Sequence, residues 1–362
     1  MIDVALVPEA NEQYLNSKQR IDYENHRQSF IEWLLAFGKD PDAVEGYTED
    51  TVYRTAYRCG KFDRFAWEDG YVVPLTHNHA DAYMKELAVS EYSGSHRSNT
   101  QDALKRYFKW RHHEFGENLW DPQYTFSKDT NVHPRDFLTV EERRRIRRAA
   151  LEYGSIPDYP SLSPKQRRRW KRHIAQVLRK PKSEVVPADW DQVNGWKFTS
   201  MVWTSLDTGL RPAEVGRARV SWVDTDNEVL RIPVTDSTKN RDNWLVSLSE
   251  RTAEALDRWL TERENYDRYE GTDALWLTRE GNPYRPQSLR RLLIRLCEIA
   301  DIETKHRRMS WYAIRHSVGT YMTREEDLAA AKAQLRHKSV QTTMKYDATP
   351  VKDRREALDR MG

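Results

Sequence analysis

Apolar residues recur at helical spacing through the first third of the chain. Phe30, Trp33, Leu34 and Phe37 share one helical face, Tyr83, Leu87 and Val89 a second, and Leu104, Tyr107, Phe108 and Trp110 a third. Strand character is scarce between them, so residues 13–122 predict a small helical domain with these side chains as its core. Asp121-Pro122 is expected to stop the last helix, because the residue before a proline is pushed out of the helical region. Residues 123–136, with Ser127, Asp129, Asn131 and Pro134, read as a linker.

The pattern changes after the linker. Thr139 and Glu142 have capping-box spacing, with Phe137 placed to act as a staple, which starts a second domain at residue 137. Within it, Val229 to Val234 and Trp244 to Leu248 are strand-like and flank the polar stretch Asp236 to Asp242. That predicts a β-hairpin with Lys239 near its tip. Helices are expected at about 250–264, 286–300, 311–323 and 326–335. The architecture read from the pattern is multidomain: an all-α domain over residues 1–122, a linker, and an α+β domain over 137–362.

Composition bounds this picture in three ways. With 362 residues the chain has enough material for two cores, and 38% hydrophobic residues exclude a disordered polymer. No apolar run approaches the roughly 20 residues of a membrane helix, and Met1 to Ala10 lacks the pattern of a secretory signal, so no membrane association and a cytoplasmic location are expected. Cys59 and Cys297 form no Cys-x-x-Cys pair, which argues against a disulfide framework or zinc ribbon and for packing roles.

Charge adds a direction. Residues 1–138 carry a net −7 and residues 139–362 a net +10, together giving the chain's +3. Such asymmetry points to a polyanionic partner for the basic part. Residues 165–182 sharpen it, since they hold Arg167, Arg168, Arg169, Lys171 and Arg172 among nine basic residues and no acid. Self-repulsion in such a segment is relieved by phosphate, so these five residues are expected to contact DNA; the competing reading is a solvated basic face.

Four separated stretches then matter together: Thr208-Gly209-Leu210-Arg211-Pro212-Ala213-Glu214, Tyr312-Ala313-Ile314-Arg315-His316, Leu335-Arg336-His337, and Thr342-Thr343 followed by Tyr346, with Lys239 on the hairpin. Taken singly each is ordinary. Taken in order, they resemble the tyrosine site-specific recombinase (phage integrase) family, whose pattern runs Thr-Gly-Leu-Arg-x-x-Glu, a hairpin lysine, His-x-x-Arg-His, Leu-Gly-His, and Thr-Thr-x-x-Tyr. The resemblance covers roughly residues 200–350 in detail. Two positions depart from it: Tyr312 stands where most relatives have histidine, and Arg336 replaces the glycine before His337.

The resemblance implies a catalytic set of Arg211, Lys239, Tyr312, Arg315, His337 and Tyr346. Their chemistry suits strand cleavage at a phosphodiester. Arg211 and Arg315 can each present a permanently charged two-donor fork to the non-bridging oxygens. Tyr346 would attack phosphorus, and its phenol, with an ordinary pKa near 10, must lose a proton as it does so. His337 would accept that proton or hold the hydroxyl, Lys239 would protonate the leaving 5′ oxygen, and Tyr312 could donate one hydrogen bond. No cofactor or metal is expected. The resemblance further implies a clamp around double-stranded DNA at a specific attachment site, a homotetramer on two sites, a tail over 347–362 that packs on a neighbouring protomer, and integration or excision of a mobile element. Three alternatives stay open: a DNA-binding protein of the same fold that has lost catalysis, a type IB topoisomerase, and a metal-dependent nuclease.

Overall fold

A computed structural model describes residues 4–127, 136–236, 243–344, 346, 358, 359 and 361. The chain divides into two units, Met1–His133 and Pro134–Gly362. The first is all helical: α1 (Glu9–Glu12), α2 (Ser17–Ala36), α3 (Glu49–Ala66), α4 (His77–Val89) and α5 (Gly94–Phe115). Its core gathers Phe30, Trp33 and Leu34 from α2, Phe62 from α3, Met84 and Leu87 from α4, and Leu104, Phe108 and Trp110 from α5. Phe37 packs against that core, whereas Val89 is exposed.

The last helix of this unit stops earlier than Asp121-Pro122. Gly116 takes φ 69° just after Phe115 and its N–H bonds the His112 carbonyl, a left-handed glycine cap that terminates α5 before proline can act. Of the expected linker, residues 123–127 stay with the first unit: the Gln101 amide donates to the Tyr124 carbonyl, and its oxygen accepts from Phe126 N–H. Residues 128–135 lie outside the described residues.

The second unit comprises α6 (Val140–Glu152), α7 (Pro164–Val177), α8 (Trp196–Thr208), α9 (Pro212–Arg217), β1 (Val223–Asp224), β2 (Val229–Ile232), β3 (Trp244–Ser247), α10 (Glu250–Arg263), α11 (Pro286–Ile299), α12 (Trp311–Glu325), α13 (Leu328–Leu335) and α14 (Val340–Met344). The Thr139–Glu142 capping box opens α6 as the spacing predicts. β2 and β3 pair antiparallel with Leu230 opposite Val246, and β1, which the pattern did not suggest, adds a two-residue edge in the order β1-β2-β3. Leu230, Ile232 and Val246 point into the core while Arg231 and Leu245 face outward, the alternation of a sheet buried on one side. That core gathers Met201, Leu206, Trp222, Trp259, Leu293 and Trp311.

Between α6 and α8 the chain makes a small module with its own core of Ile156, Leu162, Trp170, Ile174, Trp190 and Val193. Its ends meet: Ser155 and Asn194 form an antiparallel bridge, and Gly195 N–H bonds the Gly154 carbonyl. Among the described residues no helix is long and apolar enough to cross a membrane.

Candidate active site

Two helix ends form the floor of the site. α8 terminates at Gly209, which adopts φ 59° and whose would-be Cβ meets Leu335 Cδ2 at 2.6 Å, so both conformation and packing require glycine. α13 terminates at Arg336, also left-handed at φ 58°. The final carbonyls of a helix have no intrahelical donors and carry the negative end of its dipole, which favours cations there. Two buried guanidinium groups answer both ends at once. Arg315 donates to the Gly209 and Leu335 carbonyls, each at 2.6 Å. Arg336 donates to the Thr208 and Gln334 carbonyls, each at 3.0 Å.

Glu214 ties Arg211 into this arrangement. As the third residue of α9 its carboxylate accepts from the Arg211 N–H at 2.7 Å, from Arg211 Nη1 at 2.7 Å and from Arg336 Nη2 at 2.7 Å. Burial alone would raise its pKa; Arg336, Arg211 and Arg315 outweigh that and hold it at about 2. Burial, reinforced by Arg211 and Arg336, presses Arg315 below the ordinary guanidinium value.

His337 lies against Arg315 with Nε2 3.0 Å from Arg315 Nη2, and its Nδ1 is 2.9 Å from Thr343 Oγ1 on α14. Because a guanidinium only donates, Nε2 is the acceptor, which assigns the proton to Nδ1 and makes this imidazole neutral. Tyr346 is buried (4% exposed), its N–H bonded to the Thr343 carbonyl and its ring lying on Gly319 of α12, where a Cβ would stand 2.7–2.8 Å from three ring atoms. Its hydroxyl is 3.2 Å from His316 Nδ1. The ring is parallel to that of His337 at a centroid distance of 5.9 Å.

The structure therefore brings Arg211, Arg315, His337 and Tyr346 together. Tyr312 is at the rim: 44% exposed, it stacks on His316 at 6.2 Å. Lys239 lies outside the described residues. Two participants had no role in the sequence reading. His316 was visible only as the residue after Arg315, and Gly319 only as a glycine in a helix; the place of Tyr346 gives both their meaning. The buried position of Arg336 was equally hidden.

The basic stretch separates into two kinds of residue. Arg167 lies over the Tyr159 ring at 4.4 Å and donates to the Tyr159 and Pro160 carbonyls. Arg169 pairs with Asp267 and Glu270 at 3.1 and 2.9 Å, and Lys180 with Asp189 at 2.5 Å. The acids missing from residues 165–182 thus arrive from elsewhere in the chain, which corrects the argument from uncompensated charge. Arg168 and Arg172, one helical turn apart, are exposed, and Lys171 is half-buried. Among the described residues, no group of three His, Cys, Asp or Glu side chains could hold a metal ion.

Comparison with known proteins places this geometry. Residues 190–352 match the model of the phage integrase family. The fold is similar to that of XerH site-specific recombinase, solved as a post-cleavage complex with a palindromic difH substrate, at 16% identity and a TM-score of 0.55 over 96% of this chain and 90% of that one. It is also similar to the Tn1549 transposon integrase, solved in complex with transposon right end DNA, at 14% identity and a TM-score of 0.51 over 92% and 98% of the two chains. A comparison with curated protein sequences finds no match. The segment built around two buried arginines, a histidine and a tyrosine is therefore the one that matches the phage integrase family, on a fold similar to that of solved site-specific recombinases.

Proposed function

We propose that the chain cuts and rejoins double-stranded DNA at a specific attachment site through a covalent 3′-phosphotyrosine at Tyr346, working as a homotetramer on two sites to integrate or excise a mobile element. One observation carries the reading: a buried tyrosine hydroxyl is held by a histidine beside a cluster of arginines that exceeds its single carboxylate in charge. In the forward step the Tyr346 oxygen forms a bond to phosphorus while the bond to the 5′ oxygen breaks. The phenolic proton passes to His316, whose Nδ1 is 3.2 Å from the hydroxyl, and the leaving oxygen takes a proton from Lys239. Arg211 and Arg315 stabilise the charge that gathers on the non-bridging oxygens, while His337, accepting from Arg315 through Nε2, orients that guanidinium toward them. Tyr312 donates from the rim. Religation reverses the sequence with a different 5′ hydroxyl, so the energy of the broken bond is conserved and no nucleotide cofactor is consumed. DNA outside the cleavage point is held by the α7 surface through Arg168, Arg172 and Lys171, with Arg167 and Arg169 fixing that surface in place.

The test uses a nicked duplex whose sequence is selected from a random library by binding to the full-length protein. Wild-type chain should become covalently joined to it, resistant to EDTA. Tyr346→Phe should form no adduct while binding the same duplex within a few-fold, and Arg211→Lys and Arg315→Lys should each slow adduct formation by about 10²-fold or more. Adduct formation by Tyr346→Phe would move the nucleophile elsewhere.

A further inference from the structure

Arg336 occupies a position that is costly by every local criterion. A residue bearing a Cβ in the left-handed region is strained, and a guanidinium at 1% exposure has lost nearly all of its hydration. The family pattern carries glycine here, which takes this conformation without penalty. Besides the Thr208 and Gln334 carbonyls, a carboxylate offsets the cost. Arg336 Nη2 meets Glu214 Oε2 at 2.7 Å, and the same oxygen accepts from the Arg211 backbone N–H while its partner oxygen accepts from Arg211 Nη1.

We infer that Arg336 is a positioning residue for strand cleavage: it neutralises Glu214 and bonds the last carbonyls of α8 and α13, so that Arg211 keeps its charge, and its placement relative to His337, for the scissile phosphate. This rests on the cleavage role proposed above for Arg211. The charge balance shows the effect. Arg211, Arg315 and Arg336 against Glu214 leave two net positive charges around the turn, whereas glycine at position 336 would leave one. A carboxylate shared between two guanidinium groups draws less on each, and the phosphorane formed during attack carries more negative charge than the diester it came from. The backbone bonds act in the same sense, because Thr208 lies three residues before Arg211 and Gln334 three before His337.

The test is a double-mutant cycle on the full-length chain with the same selected nicked duplex. Arg336→Gly is expected to fold, to bind the duplex within about threefold, and to form adduct at least about tenfold more slowly, a deficit that shrinks toward acid pH as Glu214, having lost a cation, takes up a proton. Adding Glu214→Gln removes the uncompensated charge and should recover at least about threefold of that loss, although Glu214→Gln alone is harmful in the wild-type background. A residue that only stabilised the fold would give additive effects and an unmoved pH profile. If Arg336→Gly melts non-cooperatively, Arg336→Gln, which keeps a side chain of similar reach without its charge, is expected to show the same slowing and the same recovery. Wild-type rates in the folded variant, or strict additivity with Glu214→Gln, overturn the inference. Loss of the Tyr346 or Arg211 dependence would instead overturn the cleavage reading itself, so the two failures are told apart.

Discussion

Tyr346 is placed by what α12 lacks. Gly319 has no side chain, and the tyrosine ring fills the space where one would be. Alanine at 319 would gain helix propensity worth about 0.5–1 kcal/mol yet put a carbon within 2.8 Å of the ring. Gly319→Ala should therefore remain folded, with Tyr346 displaced. Nitration of Tyr346 by tetranitromethane is expected to speed up while adduct formation slows at least about tenfold; an unreactive Tyr346 in a fully active variant would contradict this docking. The ordered set of Arg211, Arg315, His337 and Tyr346 was readable from the sequence because those residue types recur in a family pattern. Gly319, His316 and Arg336 were not, since each takes its meaning from a partner between 27 and 122 residues away in sequence. The exposure of Tyr312 likewise had no local signal. With the ring 44% exposed rather than packed in the core, alanine at that position leaves no cavity.

At the level of elements, α10 and α8 are joined by an ionisable contact. Glu262 is buried on α10, accepting from the Trp196 N–H at the start of α8 at 2.6 Å and from the Tyr266 hydroxyl at 2.8 Å. Burial raises its pKa to about 7, more than the two hydrogen bonds and nearby Lys197 lower it. The sign follows from proton uptake: between an unfolded value near 4.3 and about 7 the folded state binds the extra proton, so stability falls as pH rises through that window. Glu262→Gln should flatten this dependence, and urea unfolding at pH 5 and pH 8 would show the wild type losing roughly 2–3 kcal/mol more than the variant across the interval. Equal pH dependence in both would contradict a buried, proton-sensitive Glu262. Elements themselves were legible wherever periodicity and caps agreed: the helices expected at 250–264 and 286–300 appear as Glu250–Arg263 and Pro286–Ile299. The failures came from non-local pairing. β1 has two residues and exists only because β2 lies beside it, and the acids that balance the basic stretch 165–182 come from Asp189, Asp267 and Glu270.

For the whole molecule the uneven charge matters most, and α7 shows how it is divided between structure and surface. Arg167 and Arg169 are already bonded within the chain, leaving Arg168 and Arg172 to face solvent. Replacing Arg168 and Arg172 together by alanine should weaken binding to duplexes of any sequence and reduce the slope of log affinity against log salt by up to about 0.9 for each lost phosphate contact. An unchanged slope would assign both arginines to solvent.

The module that carries these arginines begins and ends at the same spot, with Ser155 bridged to Asn194 and Gly154 bonded to Gly195. Everything between is a detour whose removal need not move α6 away from α8, because closing a loop costs only slowly more as it lengthens. A two-residue hairpin turn spans such a bridge. Evolution can therefore enlarge, trim or exchange this segment as a self-contained cassette while the helices behind it keep their spacing. A protein engineer has the same freedom: a foreign DNA-reading or reporter domain inserted there would hang from paired backbone, clear of the helix ends that hold the arginines and the tyrosine.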